Sequence, residues 1–169
     1  AKNDLQELIM QLLGQMETQF VSQFGLMQQY FSETFQRLFG GGNGEISLSN
    51  PNDPLNCGIE IIVQPPGKKR QLLSLFSGGE RALTAIAILF AMLKLKPTPF
   101  CILDEIEAAL DDANISYFAD YLKEFSKDTQ FIVVTHRKGT MERCDTLFGV
   151  AMEGRGISSM VSVNLKDYQ

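Results

Sequence analysis

The sequence predicts an α/β fold: a mostly parallel sheet with flanking helices, preceded by one long helix. Three observations predict it. Apolar residues from Leu5 to Leu38 recur at spacings of three and four with no proline among them, the period of a helix face. Phe100–Leu103 and Phe131–Thr135 are short, apolar and unalternating, as parallel strands covered on both faces are. Between them, Ile115, Phe118, Ala119, Leu122 and Phe125 mark one face of a helix over Asp112–Phe125, the length a parallel crossover needs.

The first 39 residues are expected to form a single helix. Several successive spacings of four in it break a strict heptad, so it is no plain two-stranded zipper. It either packs on its own domain or is the end of a coiled-coil arm. Gly40-Gly41-Gly42 stops it, as glycines past a helix end do. Strands are expected at Glu45–Ser49 and Gly58–Gln64, joined by the turn-rich Asn50-Pro51-Asn52-Asp53-Pro54. The loop Pro65–Arg70 carries Lys68, Lys69 and Arg70 in a row. Such a run is a solvated turn or, less commonly, a contact to phosphate or DNA. A helix apolar almost all round follows Ser77 and runs to about Lys94, as a buried helix would. Strands near Thr146–Met152 and Ser158–Leu165 flank Glu153-Gly154-Arg155-Gly156 as a hairpin.

Composition narrows the function. With 44% hydrophobic and 21% charged residues the chain is globular rather than disordered. Fifteen Lys and Arg against 20 Asp and Glu leave a net charge of −5, which argues against a domain built mainly to coat nucleic acid. A local basic contact, or a place in a larger DNA-binding complex, stays open. Three cysteines without CxxC spacing point to a reducing, cytosolic compartment, and a single histidine leaves no material for a His-rich metal site. No stretch is apolar for the roughly 18 residues a membrane span needs. The chain starts without Met, inside a predicted helix, as expected of a segment of a longer protein.

The chemistry gathers on the strand–helix–strand unit. If the two strands are neighbours, their carboxyl ends share one sheet edge, about 4.8 Å apart, the edge where open α/β sheets bind ligands. Asp104 and Glu105 leave one strand there and His136 leaves the other. An apolar strand ending in Asp-Glu suits Mg²⁺-dependent phosphoryl transfer: one carboxylate supports the ion, the other orients or deprotonates a water. Acids at strand ends also simply cap turns. Ser77-Gly78-Gly79-Glu80 has two compatible readings as well: a capping box before an apolar helix and an anion site of open N–H groups plus a hydroxyl.

In combination these elements resemble the C-terminal lobe of an ABC-type (P-loop NTPase) head. Ser77–Glu80 looks like the signature motif, Phe100–Glu105 like Walker B, Ala108–Asp111 like the D-loop and His136 like the switch histidine. Phe76 stands where Leu is usual. The runs Phe39–Gly42, Asn52–Pro54, Gln64–Lys69, Ser77–Ala85, Leu103–Asp111 and Thr135–Glu142 are similar to bacterial SMC (structural maintenance of chromosomes) proteins, and the likeness covers essentially the whole chain. A phosphate loop, G-x-x-x-x-G-K-[ST], is missing: before Gly67-Lys68-Lys69, position 62 is Ile and no Ser or Thr follows. The SMC layout accounts for this, because there the Walker A lobe lies at the far N-terminus.

The resemblance implies residues 1–39 as a neck helix at the base of a coiled-coil arm and 40–169 as the C-terminal head lobe. It implies ATP and Mg²⁺ in a site shared by two engaged heads. Asp104 would help hold Mg²⁺, directly or through water; Glu105 would activate water and His136 would sense the γ-phosphate. Ser77, Gly78 and Gly79, with Glu80 behind them, would reach the ATP of the opposite head. Ala109, Leu110 and Asp111 would link the two sites. Implied partners are the N-terminal lobe of the same protein, a second head in a homodimer, and a kleisin subunit on the neck helix and on the cap that includes the last hairpin. DNA would be met through the complete complex, in a cytoplasmic, nucleoid-associated protein of chromosome condensation and segregation, with no membrane partner. Alone, such a lobe would be inactive. Rival readings are another ABC-type ATPase, such as a DNA-repair relative or transporter subunit, and a kleisin-binding coiled-coil module without catalysis.

Overall fold

Helix α1 spans Lys2–Leu38, close to the range its periodicity predicts. The structure, a computed structural model, describes residues 2–154 and 156–165. Only the later part of α1 finds a core: Phe24, Phe31, Phe35 and Leu38 are buried, whereas Leu5, Leu8, Leu12 and Met16 are exposed. The helix closes when the Gly41 N–H donates to Gln36 O at 2.8 Å, with Gly40 in the left-handed region at φ 65°, where a Cβ would be strained.

Strands β1 (Asn43–Leu48), β2 (Ile59–Gln64) and β3 (Gln71–Leu72) form an antiparallel sheet in that order. Strand β1 runs tightly along α1: a Cβ on Gly44 would lie 2.7 Å from Phe35 Cγ, so only glycine fits without displacing the ring. Gln28 Nε2 donates to Ile46 O at 2.8 Å and pins the helix to the strand. After β3 and a 3-10 turn at Leu73–Leu75 comes α2 (Gly78–Leu95), which buries Leu83, Ile86, Ala87, Phe90, Ala91 and Leu93. Its outer side, Arg81, Ala85 and Met92, stays exposed. Helices α1 and α2 pack together, with Lys94 Nζ 3.2 Å from Glu33 Oε2.

The chain divides into two compact units, Ala1–Thr98 and Pro99–Gln169. The helix expected as a neck, residues 1–39, lies within the first of these units. The physical reason is that Phe31, Phe35 and Leu38 supply much of the core on which β1 and α2 lie, so α1 belongs with the segment after it.

In the second unit, β4 (Phe100–Asp104) and β5 (Gln130–Val134) pair in parallel, with Phe100 opposite Gln130 and Asp104 opposite Val134. Helix α3 (Asp112–Phe125) connects them, and α4 (Lys138–Met141) follows β5. Strands β6 (Thr146–Gly154) and β7 (Ile157–Asn164) form the antiparallel hairpin, with a register shift between Met152 and Gly154. Arg155, expected in its turn, lies outside the described residues.

Two expectations need correction. The sheet is not mostly parallel: among the described residues the strands form three separate sheets, and only β4–β5 is parallel. Nor are those two strands covered on both faces. Leu103 is buried and Phe131 meets the Phe125 ring edge-on at 5.9 Å, but Phe100, Ile102, Ile132 and Val134, on the other face, are 56, 60, 49 and 50% exposed. The sequence is apolar on both faces, but among the described residues only one face is covered.

Candidate active site

In the first unit, Ser77 is the N-cap of α2, in extended backbone at φ −65° and ψ 163°, and closes a capping box with Glu80. The Ser77 hydroxyl donates to Glu80 Oε2 at 2.9 Å, and the Ser77 N–H reaches the same oxygen at 3.4 Å. On the other oxygen, Lys68 Nζ lies 2.7 Å from Glu80 Oε1. Partial burial pushes the Glu80 pKa up, but the bonds from Lys68 and Ser77 outweigh it and hold the carboxyl below its ordinary value. Lys68 therefore neutralises the one carboxylate at this helix N-terminus, where a negative ligand would otherwise be repelled. A Cβ placed on Gly78 would meet nothing within 4 Å, so the first turn of α2 opens onto free space. The cationic loop is thus structural in part: Lys68 pairs with Glu80 and Arg70 with Glu45.

In the second unit the parallel pairing puts Asp104, Glu105 and His136 at one strand edge, as expected. Asp104 is the exposed last residue of β4. Glu105 continues the ladder, its N–H donating to Val134 O at 2.9 Å. To do so it adopts φ 48°, the left-handed region, unlike any other non-glycine residue among those described. Strain of this kind, roughly 1–3 kcal/mol, persists where surrounding bonds over-determine it and concentrates at functional sites. Its side chain lies beside His136, whose Nδ1 is 3.3 Å from Glu105 Oε1. Both side chains are more than half exposed, so a ligand can approach them.

Past Glu105 the chain turns tightly: the Ala108 N–H donates to Glu105 O and the Leu110 N–H to Glu107 O, each at 3.0 Å. Ala109 is exposed, Leu110 is buried, and Asp111 caps α3, its carboxylate accepting from the Asn114 N–H at 2.8 Å. Two residues without an assigned role prove central to this turn. Glu107 is 1% exposed and accepts from the Thr135 hydroxyl. Arg137 Nη2 donates to Ala108 O and to Leu110 O, both at 3.0 Å. The available signals were a third acid, Glu107, set between Ile106 and Ala108, and a cation directly after the histidine.

Among the described residues no cluster of three His, Cys, Asp or Glu could hold a metal. Asp104 offers one hard oxygen donor, which fits Mg²⁺ only in the manner that ion favours with nucleotides, few carboxylates and several phosphate or water oxygens. Burial raises the Cys101 and Cys144 thiols above their ordinary pKa. No described helix is long and apolar enough to cross a membrane.

Residues 2–159 match the family model described as RecF/RecN/SMC N terminal domain. The chain is 56% identical over 167 residues to the chromosome partition protein Smc of Bacillus subtilis (strain 168), covering 99% of this chain and 14% of that protein. It thus spans about a seventh of its relative's length. Among solved structures it is similar to the Smc head domain with an extended coiled coil bound to the C-terminal domain of ScpA, derived from Pyrococcus furiosus. There the TM-score is 0.87 with 42% identity, covering 99% of this chain and 42% of that one. A chain from a study of ATP-driven dimerization and DNA stimulated activation of SMC ATPases aligns with TM-score 0.82 and 42% identity, covering 90% of this chain and 92% of that one. The chain belongs to the RecF/RecN/SMC family, as a segment of an SMC ATPase head.

Proposed function

We propose that this chain is the C-terminal half of the ATPase head of an SMC protein of chromosome condensation and segregation, with 1–39 as its neck helix. The observation that carries the reading is the juxtaposition of Asp104, Glu105 and His136 at one strand edge, with His136 Nδ1 3.3 Å from Glu105 Oε1, in a sequence with no phosphate loop. The matched family description contains the words "N terminal domain", but a share of 14% gives the length matched and not its place in the relative. Motif content favours the half that lacks Walker A. The uncovered face of β4 and β5 is then the seat of the Walker A lobe of the same protein.

In this reading the chain's own residues act on ATP gripped elsewhere. Asp104 helps hold Mg²⁺, directly or through water; when bound, the ion neutralises phosphate charge. Glu105 takes a proton from the attacking water, and His136, beside it, contacts the γ-phosphate. Ser77 and the N–H groups of Gly78 and Gly79 contact the ATP of a second, identical head, and Glu80 holds the serine in place. Ala109, Leu110 and Asp111 link the two sites. A kleisin subunit packs on the exposed apolar stripe of α1 and on the β6–β7 hairpin of the cap, and DNA is engaged through the complete complex in the cytoplasm. The P. furiosus neighbour bound to ScpA supports the kleisin assignment.

The test uses the full-length protein. Glu105→Gln is expected to retain ATP-dependent dimers while turnover falls by about 10²–10⁴, the usual worth of a general base. Ser77→Arg is expected to abolish the dimers. Dimers that ignore both ATP and Ser77 would contradict the shared site.

A further inference from the structure

The composite-site reading gives His136 and the D-loop separate tasks; the hydrogen bonds tie them into one body. Both neighbours of His136 are anchored in the turn that begins at Glu105. On one side the Thr135 hydroxyl donates to the buried Glu107 carboxylate and accepts from the Arg137 N–H at 3.0 Å. On the other side the Arg137 guanidinium donates to Ala108 O and Leu110 O. A cation held on two backbone carbonyls, at a half-buried position, makes stronger bonds than neutral donors would. Leu110 is buried and leads directly into Asp111, which is fixed as the N-cap of α3. His136 itself is exposed, with its Nδ1 3.3 Å from Glu105 Oε1. Its backbone can therefore shift only if these bonds break or if residues 108–111 move with it.

The latch is also incompletely satisfied. Glu107 Oε2 and Arg137 Nε are buried without a protein hydrogen-bond partner among the described residues. Buried polar atoms left unpaired are costly.

We propose that Arg137 is a positioning residue that locks the switch segment to the D-loop, so that the γ-phosphate sensor and the element facing the second head move together. This inference rests on the composite-site reading above. Arg137 acts through His136 and the backbone of Ala108–Leu110. Variants at this position should therefore spare ATP binding and impair turnover.

The experiment measures steady-state ATP hydrolysis and thermal stability of the full-length protein as Arg137→Met, Arg137→Lys, His136→Ala and the double variant Arg137→Met/His136→Ala. Arg137→Met keeps the stem and removes the guanidinium. Its kcat is expected to fall about tenfold or more with KM for ATP changed by less than about twofold, the pattern of an interaction needed only in the transition state. Arg137→Lys, which keeps a charged donor, is expected to recover part of the loss. The double variant is expected to be no slower than His136→Ala alone, because residues acting as one unit are not additive. Losses that multiply, or a folded Arg137→Met with full turnover, overturn the proposal. If Arg137→Met folds poorly, Arg137→Lys carries the same test in combination with His136→Ala. Full turnover of His136→Ala would instead overturn the composite-site reading itself.

Discussion

Glu105 holds a carboxylate at the site edge in a backbone conformation that glycine would adopt freely, at φ 48°. An L-residue in that region costs about 1–2 kcal/mol, partly offset in a glycine variant by the entropy of its unfolded chain. Glu105→Gly is thus expected to unfold at higher denaturant than Glu105→Gln, by about 1 kcal/mol, with turnover lost in both; equal stabilities would remove the strain argument. Glu80 makes a second prediction at this scale. Folding lowers its pKa, so the unfolded chain takes up the proton first. Its stabilising share is present above the ordinary value of 4.5 and lost as pH falls below it. The stability difference between the wild type and Glu80→Gln should shrink through that window, as urea unfolding at a series of pH values would show. Asp104, Glu105 and His136 were legible in the sequence because strand ends fix where they emerge. Glu107 and Arg137 were not, because their roles depend on a turn whose path no local pattern specifies.

Elements with a strong period were read closely. The range Asp112–Phe125 was anticipated to the residue, and α1 and α2 to within a residue or two. The two-residue β3 and four-residue α4 were missed because such short segments carry no period. The covering of β4 and β5 was misread because apolar residues on a bare face and on a packed face look alike in sequence. Two tests belong here. Gly44→Ala would bring its Cβ to 2.7 Å from Phe35 Cγ and 2.9 Å from Phe35 Cβ, an overpacking expected to cost about 1–3 kcal/mol; an unchanged unfolding midpoint would contradict the packing of β1 on α1. In α1 the exposed first half should exchange its amide hydrogens much faster than Phe24–Leu38, because local opening is easiest where tertiary packing is absent. Uniform protection along the helix, measured on the isolated chain, would contradict this.

At the scale of the molecule, the exposed apolar residues fall into groups, each on a different element. One follows the first half of α1, another covers the outer face of β4–β5, and a third, including Phe148, Val150, Met152 and Met160, lies on the β6–β7 hairpin. Exposed apolar surface of this extent marks interaction sites, and the chain spans 14% of its B. subtilis relative. The central claim is that these residues form half of an ATP site. The most direct measurement is Mg·ATP hydrolysis by this chain alone, by the Walker A lobe of the same protein alone, and by an equimolar mixture. The account predicts turnover only in the mixture, abolished there by Glu105→Gln. Full turnover by the 169-residue chain on its own, or none in a mixture shown to be associated, would contradict it.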